Sequence, residues 1–152
     1  MPDIIVAIGT GGFIPARIIK TYLKKDILVV GVKRYDETGD DNANGNLSEA
    51  TNQPQKIQWI DEAERKISNR RILLIDEVDD TRLTMSYCIN ELFNHSPAEI
   101  RVAVLHQKIK PKMATYPDSI KHIYSGAETE DIWIKYPWES TDIDKHNLSL
   151  DS

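Results

Sequence analysis

Four carboxylates, Asp76, Glu77, Asp79 and Asp80, fall within five residues at the end of an apolar run over residues 72–75. Such a run is the pattern of a parallel strand buried on both faces. Carboxylates this close repel one another and raise one another's pKa, so they call for sugar hydroxyls, Mg²⁺ or a positioned proton. Thr81 and Thr84 follow where a helix can open, and the free N–H groups of a helix N-terminus bind phosphate. A strand, an acidic pair and a hydroxyl-bearing phosphate cradle together describe a site for a phosphorylated sugar.

The elements that must position this site read as an alternation. Residues 3–8 form a strand, 9–12 a glycine-bearing loop, 13–24 a helix and 27–32 a second buried strand. This is a βαβ unit with a right-handed crossover, and hence a parallel sheet. Ile14, Ile18 and Tyr22 lie on one side of the helix, with Ile19 and Leu23 beside them. A weak strand over 56–60, a short helix over 61–67, the acidic strand at 71–75, a helix over 81–93 and a strand over 99–106 continue the pattern. Later residues are less regular, with extended pieces at 121–124 and 131–134. The expected fold class is α/β: a central parallel sheet flanked by helices, with a small C-terminal cap or hood. Ligands would bind at the carboxyl ends of the strands. One domain over 1–143 is expected, with a polar tail over 144–152. Residues 35–56 have little to bury, and a loop that long reads as a mobile lid.

Composition sets further bounds. A chain of 152 residues suits one domain with a real core. A net charge of −5 and a pI near 5.4 argue against a strongly basic nucleic-acid surface and suit a Mg²⁺-assisted site for anionic ligands. The single cysteine, Cys88, sits in a helical pattern as a buried structural thiol, which excludes an intrachain disulfide and a cysteine-rich zinc site. The absence of a long apolar run or a secretory leader points to the cytoplasm, with no membrane partner. His95, His106, His122 and His146 show no ligand or triad spacing.

Gly9-Thr10-Gly11-Gly12 sits between strand and helix, where glycines let backbone N–H groups approach phosphate oxygens. A dinucleotide fingerprint would need glycine where Ile14 stands and an acid where Lys33 and Arg34 close the second strand. The phosphate-loop lysine of NTPases is missing too, which disfavours reading Asp76-Glu77 as an NTPase's metal-and-water pair. Lys33 and Arg34 are candidate cations for a pyrophosphate, against an equally good reading as solvated surface charge.

The order of these features resembles the phosphoribosyl-diphosphate signature of type I phosphoribosyltransferases: four apolar residues, an acidic pair, two apolar residues, then Asp-Thr-Gly-x-Thr. The resemblance implies that Asp76 and Glu77 hold the ribose hydroxyls and a metal. It also makes Asp80 the catalytic acid–base group beside the base, and wraps Asp80, Thr81, Arg82, Leu83 and Thr84 around the 5′-phosphate. Arg82 replaces the loop glycine and offers a guanidinium beside the phosphate, and Asp-Asp-Thr-Arg is similar to fungal hypoxanthine-guanine enzymes. Gly9, Thr10, Gly11 and Gly12 resemble the family's pyrophosphate loop, where the Gly9–Thr10 peptide is expected to be cis.

Lys110-Pro111 and the later segment 133–139 resemble the base site of 6-oxopurine enzymes of the bacterial xanthine-guanine type. The resemblance implies that Lys110 donates to O6, Trp133 stacks on the purine, Ile134 offers backbone groups to its edge and Glu139 serves a second metal. It covers roughly residues 3–143. In the family a cap-building segment usually precedes the first strand, which here starts at Asp3, so a fragment, a short form or a differently built cap is expected. The implied function is transfer of the 5-phosphoribosyl group from its diphosphate to hypoxanthine, guanine or xanthine, with Mg²⁺ as cofactor and a homodimer as the family default. A non-catalytic sensor of phosphoribosyl diphosphate that regulates nucleic acid is the alternative, and it would need a basic face that the pI disfavours. The sequence does not rank the three bases.

Overall fold

The computed structural model describes residues 1–33 and 53–149. The elements run β1 (Ile4–Gly9), α1 (Phe13–Leu23), β2 (Ile27–Lys33), β3 (Gln55–Gln58), α2 (Ala63–Ile67), β4 (Arg71–Asp79), α3 (Leu83–Phe93), β5 (Glu99–Lys108), β6 (Ile123–Thr129), a 3-10 turn (Pro137–Glu139) and α4 (Ile143–Leu148). The strands form one sheet in the order β3-β2-β1-β4-β5-β6. All neighbours are parallel except β3, which lies antiparallel on the β2 edge. The expected α/β fold is observed, with helices on both faces. Among the described residues no helix is long and apolar enough to cross a membrane.

Central strands are apolar on both faces because both faces are covered. Val6, Ile8, Ile72 and Leu74 pack with Met85, Cys88, Ile89 and Leu92 of α3 and with Ala63 and Ile67 of α2. Ile5, Ala7, Leu73 and Ile75 point the other way, onto Ala16, Ile19 and Leu23 of α1. Cys88 is fully buried, as expected, and burial pushes its thiol pKa up. The stripe of α1 that meets the sheet is therefore the Ala16, Ile19 and Leu23 one. Ile14, Ile18 and Tyr22 are 42%, 53% and 80% exposed. Periodicity identified the helix, but two adjacent apolar stripes left its rotation open.

Several boundaries differ from the expectation. β4 runs through Asp76, Glu77 and Asp79 and stops one residue short of Asp80, because its ladder with β5 continues from Asp76↔Val104 to Asp79↔Gln107. α3 opens at Leu83, two residues after Thr81. β6 starts inside the expected 121–124 piece and runs five residues past it, and residues 131–134 form no strand. Within the stretch read as a polar tail, α4 forms with Asp142 as N-cap, its carboxylate accepting from the Lys145 N–H at 3.0 Å. Of the lid at 35–56, only 53–56 lie within the described residues, and Arg34 lies outside them.

Gly12 joins α1 to the sheet by a close approach that leaves no room for a side chain. A Cβ there would sit 2.4 Å from the Ile75 carbonyl oxygen and 2.7 Å from that of Ile8. Both obstacles are strand backbone and cannot swing aside. Gly12→Ala is expected to destabilise by about 1–3 kcal/mol, as overpacking of a close contact does. The urea midpoint measures this, and an unchanged midpoint would show that α1 can shift away freely.

Candidate active site

Strand order reverses between β1 and β4: β1 leads to β2 on one side, and β4 leads to β5 on the other. In open α/β sheets the crevice at this switch point, outside the strand carboxyl ends, is where ligands bind. The glycine loop after β1 and the acidic end of β4 face each other across it. They wall a cavity of about 240 Å³ that takes in Gly9, Gly11, Asp76, Glu77, Asp80, Thr81, Arg82 and Thr84, together with Asp79, Val32 and Met85. Of the other expected ligand-loop residues, Thr10 is exposed, Gly12 is wedged against the strands and Leu83 is the first residue of α3. The Gly9–Thr10 peptide bond is cis. A Cβ on Gly11 would meet the Glu77 carboxyl carbon at 2.8 Å, so the glycine lets the loop touch the acidic pair.

The acids divide into two kinds. Burial raises the Asp76 pKa to about 7, and the charges of Glu77 and Asp79 push the same way. Against this, the Glu77 N–H donates to Asp76 Oδ1 at 2.8 Å. Glu77 is also raised, by burial first and by the Glu139 charge, while Trp138 Nε1–H donates to its Oε2 at 3.1 Å and pulls it back. Asp80 behaves oppositely. Partial burial pushes it up, but the Lys110 ammonium at 2.9 Å and the Lys108 charge outweigh that and hold it below its ordinary value. Both acids of the pair are thus pushed up, whereas Asp80 is held down.

This asymmetry has a consequence for stability. The folded-state pKa of Asp76 lies above its unfolded value, so the stability linked to its proton is fully present below about pH 4. That stability is lost as the pH rises through about 7. The unfolding free energy of the wild type minus that of Asp76→Asn should decline across that window. A difference that stays flat or rises from pH 4 to pH 7 would contradict the burial of Asp76.

The structure brings Lys110 to Asp80 but leaves the rest of the expected base site apart. Lys110 Nζ also donates to Asp131 Oδ1 at 3.0 Å. Trp133 is 85% exposed and Ile134 is half-buried, and neither lines the cavity. The Glu139 carboxylate accepts from the Tyr136 N–H at 3.3 Å. The guanidinium of Arg82, expected beside a phosphate, turns inward and bonds Asp79 at 2.7 Å.

Sequence reasoning passed over several residues. Lys108, only 7% exposed, brings its ammonium to 3.6 Å from Asp80 and 3.7 Å from Asp131. Its spacing of two from Lys110 at a strand end, which puts both on one side, was the available signal. Asp131 lies in an irregular segment and gave none. Tyr136 stacks on Trp138 with ring centroids 4.9 Å apart and donates to the Glu77 carbonyl oxygen at 3.2 Å, tying the hood to the acidic pair. Its hydroxyl also lies 2.9 Å from His106 Nδ1.

A glycine loop and an acidic strand end facing each other at the switch point of a mostly parallel sheet define a class, the binders of phosphorylated sugars. The sequence profile of the phosphoribosyl transferase domain matches residues 1–142, and the chain belongs to the phosphoribosyltransferase family. The hypoxanthine-guanine phosphoribosyltransferase of Schizosaccharomyces pombe is 36% identical over 170 residues, covering 96% of this chain and 81% of the relative. Xanthine phosphoribosyltransferase 1 of Saccharomyces cerevisiae is 36% identical over 173 residues, covering 97% and 81%. A Neisseria gonorrhoeae protein solved with bound ppGpp matches with a TM-score of 0.83 and 39% identity over 97% of this chain and 79% of that one. The purine phosphoribosyltransferase of Pyrococcus horikoshii matches at 0.66 and 26%, over 93% and 79%.

Proposed function

We propose that the protein transfers the 5-phosphoribosyl group of phosphoribosyl diphosphate to a 6-oxopurine, hypoxanthine, guanine or xanthine, as a salvage enzyme. The observation that carries this reading is the juxtaposition, in one cavity at the switch point, of the acidic pair Asp76 and Glu77 with Asp80, whose carboxylate Lys110 contacts at 2.9 Å. The acids suit ribose hydroxyls, which donate to carboxylates. The N–H groups opening α3 and the hydroxyls of Thr81 and Thr84 suit the 5′-phosphate. Gly9, Thr10, Gly11 and Gly12 suit the pyrophosphate, with Lys33 beside the site at the end of β2.

The reaction breaks the bond between the anomeric carbon and pyrophosphate as purine N9 attacks that carbon. The transition state is oxocarbenium-like, so the protein's task is to hold the leaving group, fix the ribose and align the base. Asp80 takes the proton from purine N7 as N9 bonds, which keeps the product neutral at the ring. Asp80 Oδ1 accepts from Lys110 Nζ at 2.9 Å, with Lys108 Nζ at 3.6 Å from the same oxygen. An arriving oxopurine exchanges these contacts: its O6 accepts from a lysine, and its N7–H donates to Asp80. In this reading Trp133 would stack on the base and Ile134 would offer its backbone groups to the base edge.

Mg²⁺ fits this donor set. The described residues hold no cluster of three or more side chains able to cage a metal. Mg²⁺ keeps its waters and borrows substrate phosphates, needing only one or two carboxylates. Asp76 and Glu77 would hold it, with the Glu139 charge nearby, and it would neutralise charge developing on pyrophosphate. A homodimer and a cytoplasmic location belong to the same reading.

The Neisseria relative was solved with bound ppGpp, and binding of a guanine nucleotide at this chain's anion site is a second reading. Calorimetric titration tests both. Phosphoribosyl diphosphate with Mg²⁺ should bind one per site, and ppGpp should compete with it. A protein that binds no phosphoribosyl diphosphate with Mg²⁺ present would overturn the reading.

A further inference from the structure

We infer that Asp79 is a positioning residue that locks the phosphate-side loop, and that it does so by holding Arg82 in the backbone conformation the motif otherwise reserves for glycine. This rests on the reading of residues 80–84 as the 5′-phosphate cradle. Arg82 has φ 71°, in the left-handed region that disfavours side chains carrying Cβ. A glycine enters that region without penalty, whereas an arginine needs a restraint. The restraint is visible. Asp79 is 1% exposed, and its carboxylate accepts from Arg82 Nη2 at 2.7 Å and from Nε at 3.2 and 3.3 Å. The guanidinium carbon lies 4.1 Å from the centroid of the Tyr116 ring, which covers its face.

A second set of contacts pins the same turn from below. Lys112 Nζ donates to the carbonyl oxygens of Asp79 at 2.9 Å, Asp80 at 2.8 Å and Lys108 at 2.8 Å. The Met113 N–H donates to the Thr81 carbonyl oxygen at 3.0 Å. The segment 112–116 thus fixes the backbone at 79–82 that presents both the Asp80 carboxylate and the phosphate loop. In the motif an apolar residue precedes the Asp-Thr-Gly-x-Thr loop. Here that residue is Asp79 and the glycine is Arg82, and the two departures are each other's ionic partner. A flexible loop is exchanged for a preformed one, which lowers the ordering cost of binding phosphate. The guanidinium of Arg82 acts through Asp79 and not on the phosphate.

The test uses the full chain with Mg²⁺ and reads two quantities: the Kd for phosphoribosyl diphosphate by calorimetry, and amide hydrogen exchange at residues 82–84 without ligand. Asp79→Leu should weaken binding on the order of tenfold or more and speed exchange similarly, because it leaves a half-buried guanidinium without its partner. Asp79→Leu/Arg82→Gly, which restores the motif's own pairing, should recover most of the lost affinity. A double variant no better than Asp79→Leu overturns the inference, as does an Asp79→Leu protein with wild-type Kd and exchange. Should Asp79→Leu not fold, Arg82→Gly alone decides. The clamp requires weaker binding and faster exchange in that variant, and a simple relief of backbone strain gives equal or tighter binding with unchanged exchange. Wild-type protein that binds no phosphoribosyl diphosphate defeats the functional reading instead, while the exchange arm still judges the clamp.

Discussion

Asp80→Asn should lower kcat by about 10²–10⁴, the range for loss of a positioned general base, and leave the affinity for phosphoribosyl diphosphate nearly intact. Asn has the size of Asp and still accepts a hydrogen bond, but it cannot take the purine proton. Asp80 suits the task because Lys110 at 2.9 Å and Lys108 at 3.6 Å favour its charged form in a site where Asp76 and Glu77 are pushed the other way. Steady-state kinetics beside direct titration separate the two effects. Wild-type turnover by the variant would remove Asp80 from the mechanism, and lost phosphoribosyl diphosphate binding would make it a ribose or phosphate ligand instead.

Removing the lysines should change the choice of base. An ammonium facing O6 favours oxopurines, and adenine, with an amino group there, leaves it unpaired. Lys110→Ala should reduce kcat/KM for hypoxanthine and guanine by about 10–100-fold, as expected for a lost charged hydrogen bond. It should affect phosphoribosyl diphosphate binding far less. Lys108 shares both acidic partners, Asp80 and Asp131, and is the more buried of the two lysines. Lys108→Ala should therefore fall in the same kinetic class. Unchanged oxopurine kinetics in both variants would leave only the ribosyl diphosphate half of the account standing.

The parts of this molecule legible in the sequence are those where one physical demand dominates. β1 and β4 announce themselves because strands covered on both faces must be apolar throughout, and Asp76 and Glu77 because no core tolerates such a pair unpartnered. The glycine loop is legible because close approach forbids a side chain at Gly12. β6 is obscure for the opposite reason: it is an edge strand with exposed side chains and no burial pattern to read. Arg82 shows where local chemistry misleads. A guanidinium in a phosphate loop suggests an anion ligand, yet the nearest anion is the protein's own Asp79, three residues earlier across a turn. Trp133 shows another limit: its residue type suggests stacking on a base, yet it is 85% exposed and does not line the cavity.

The central claim, phosphoribosyl transfer to a 6-oxopurine, is tested most directly by a spectrophotometric assay. Hypoxanthine, guanine, xanthine and adenine are each supplied with Mg²⁺ and phosphoribosyl diphosphate, and the nucleoside monophosphate and pyrophosphate formed are followed. The account predicts turnover of at least one oxopurine, with the two products in equal amounts and little or none from adenine. Preference for adenine, or no turnover of any base by protein that binds phosphoribosyl diphosphate, would contradict it.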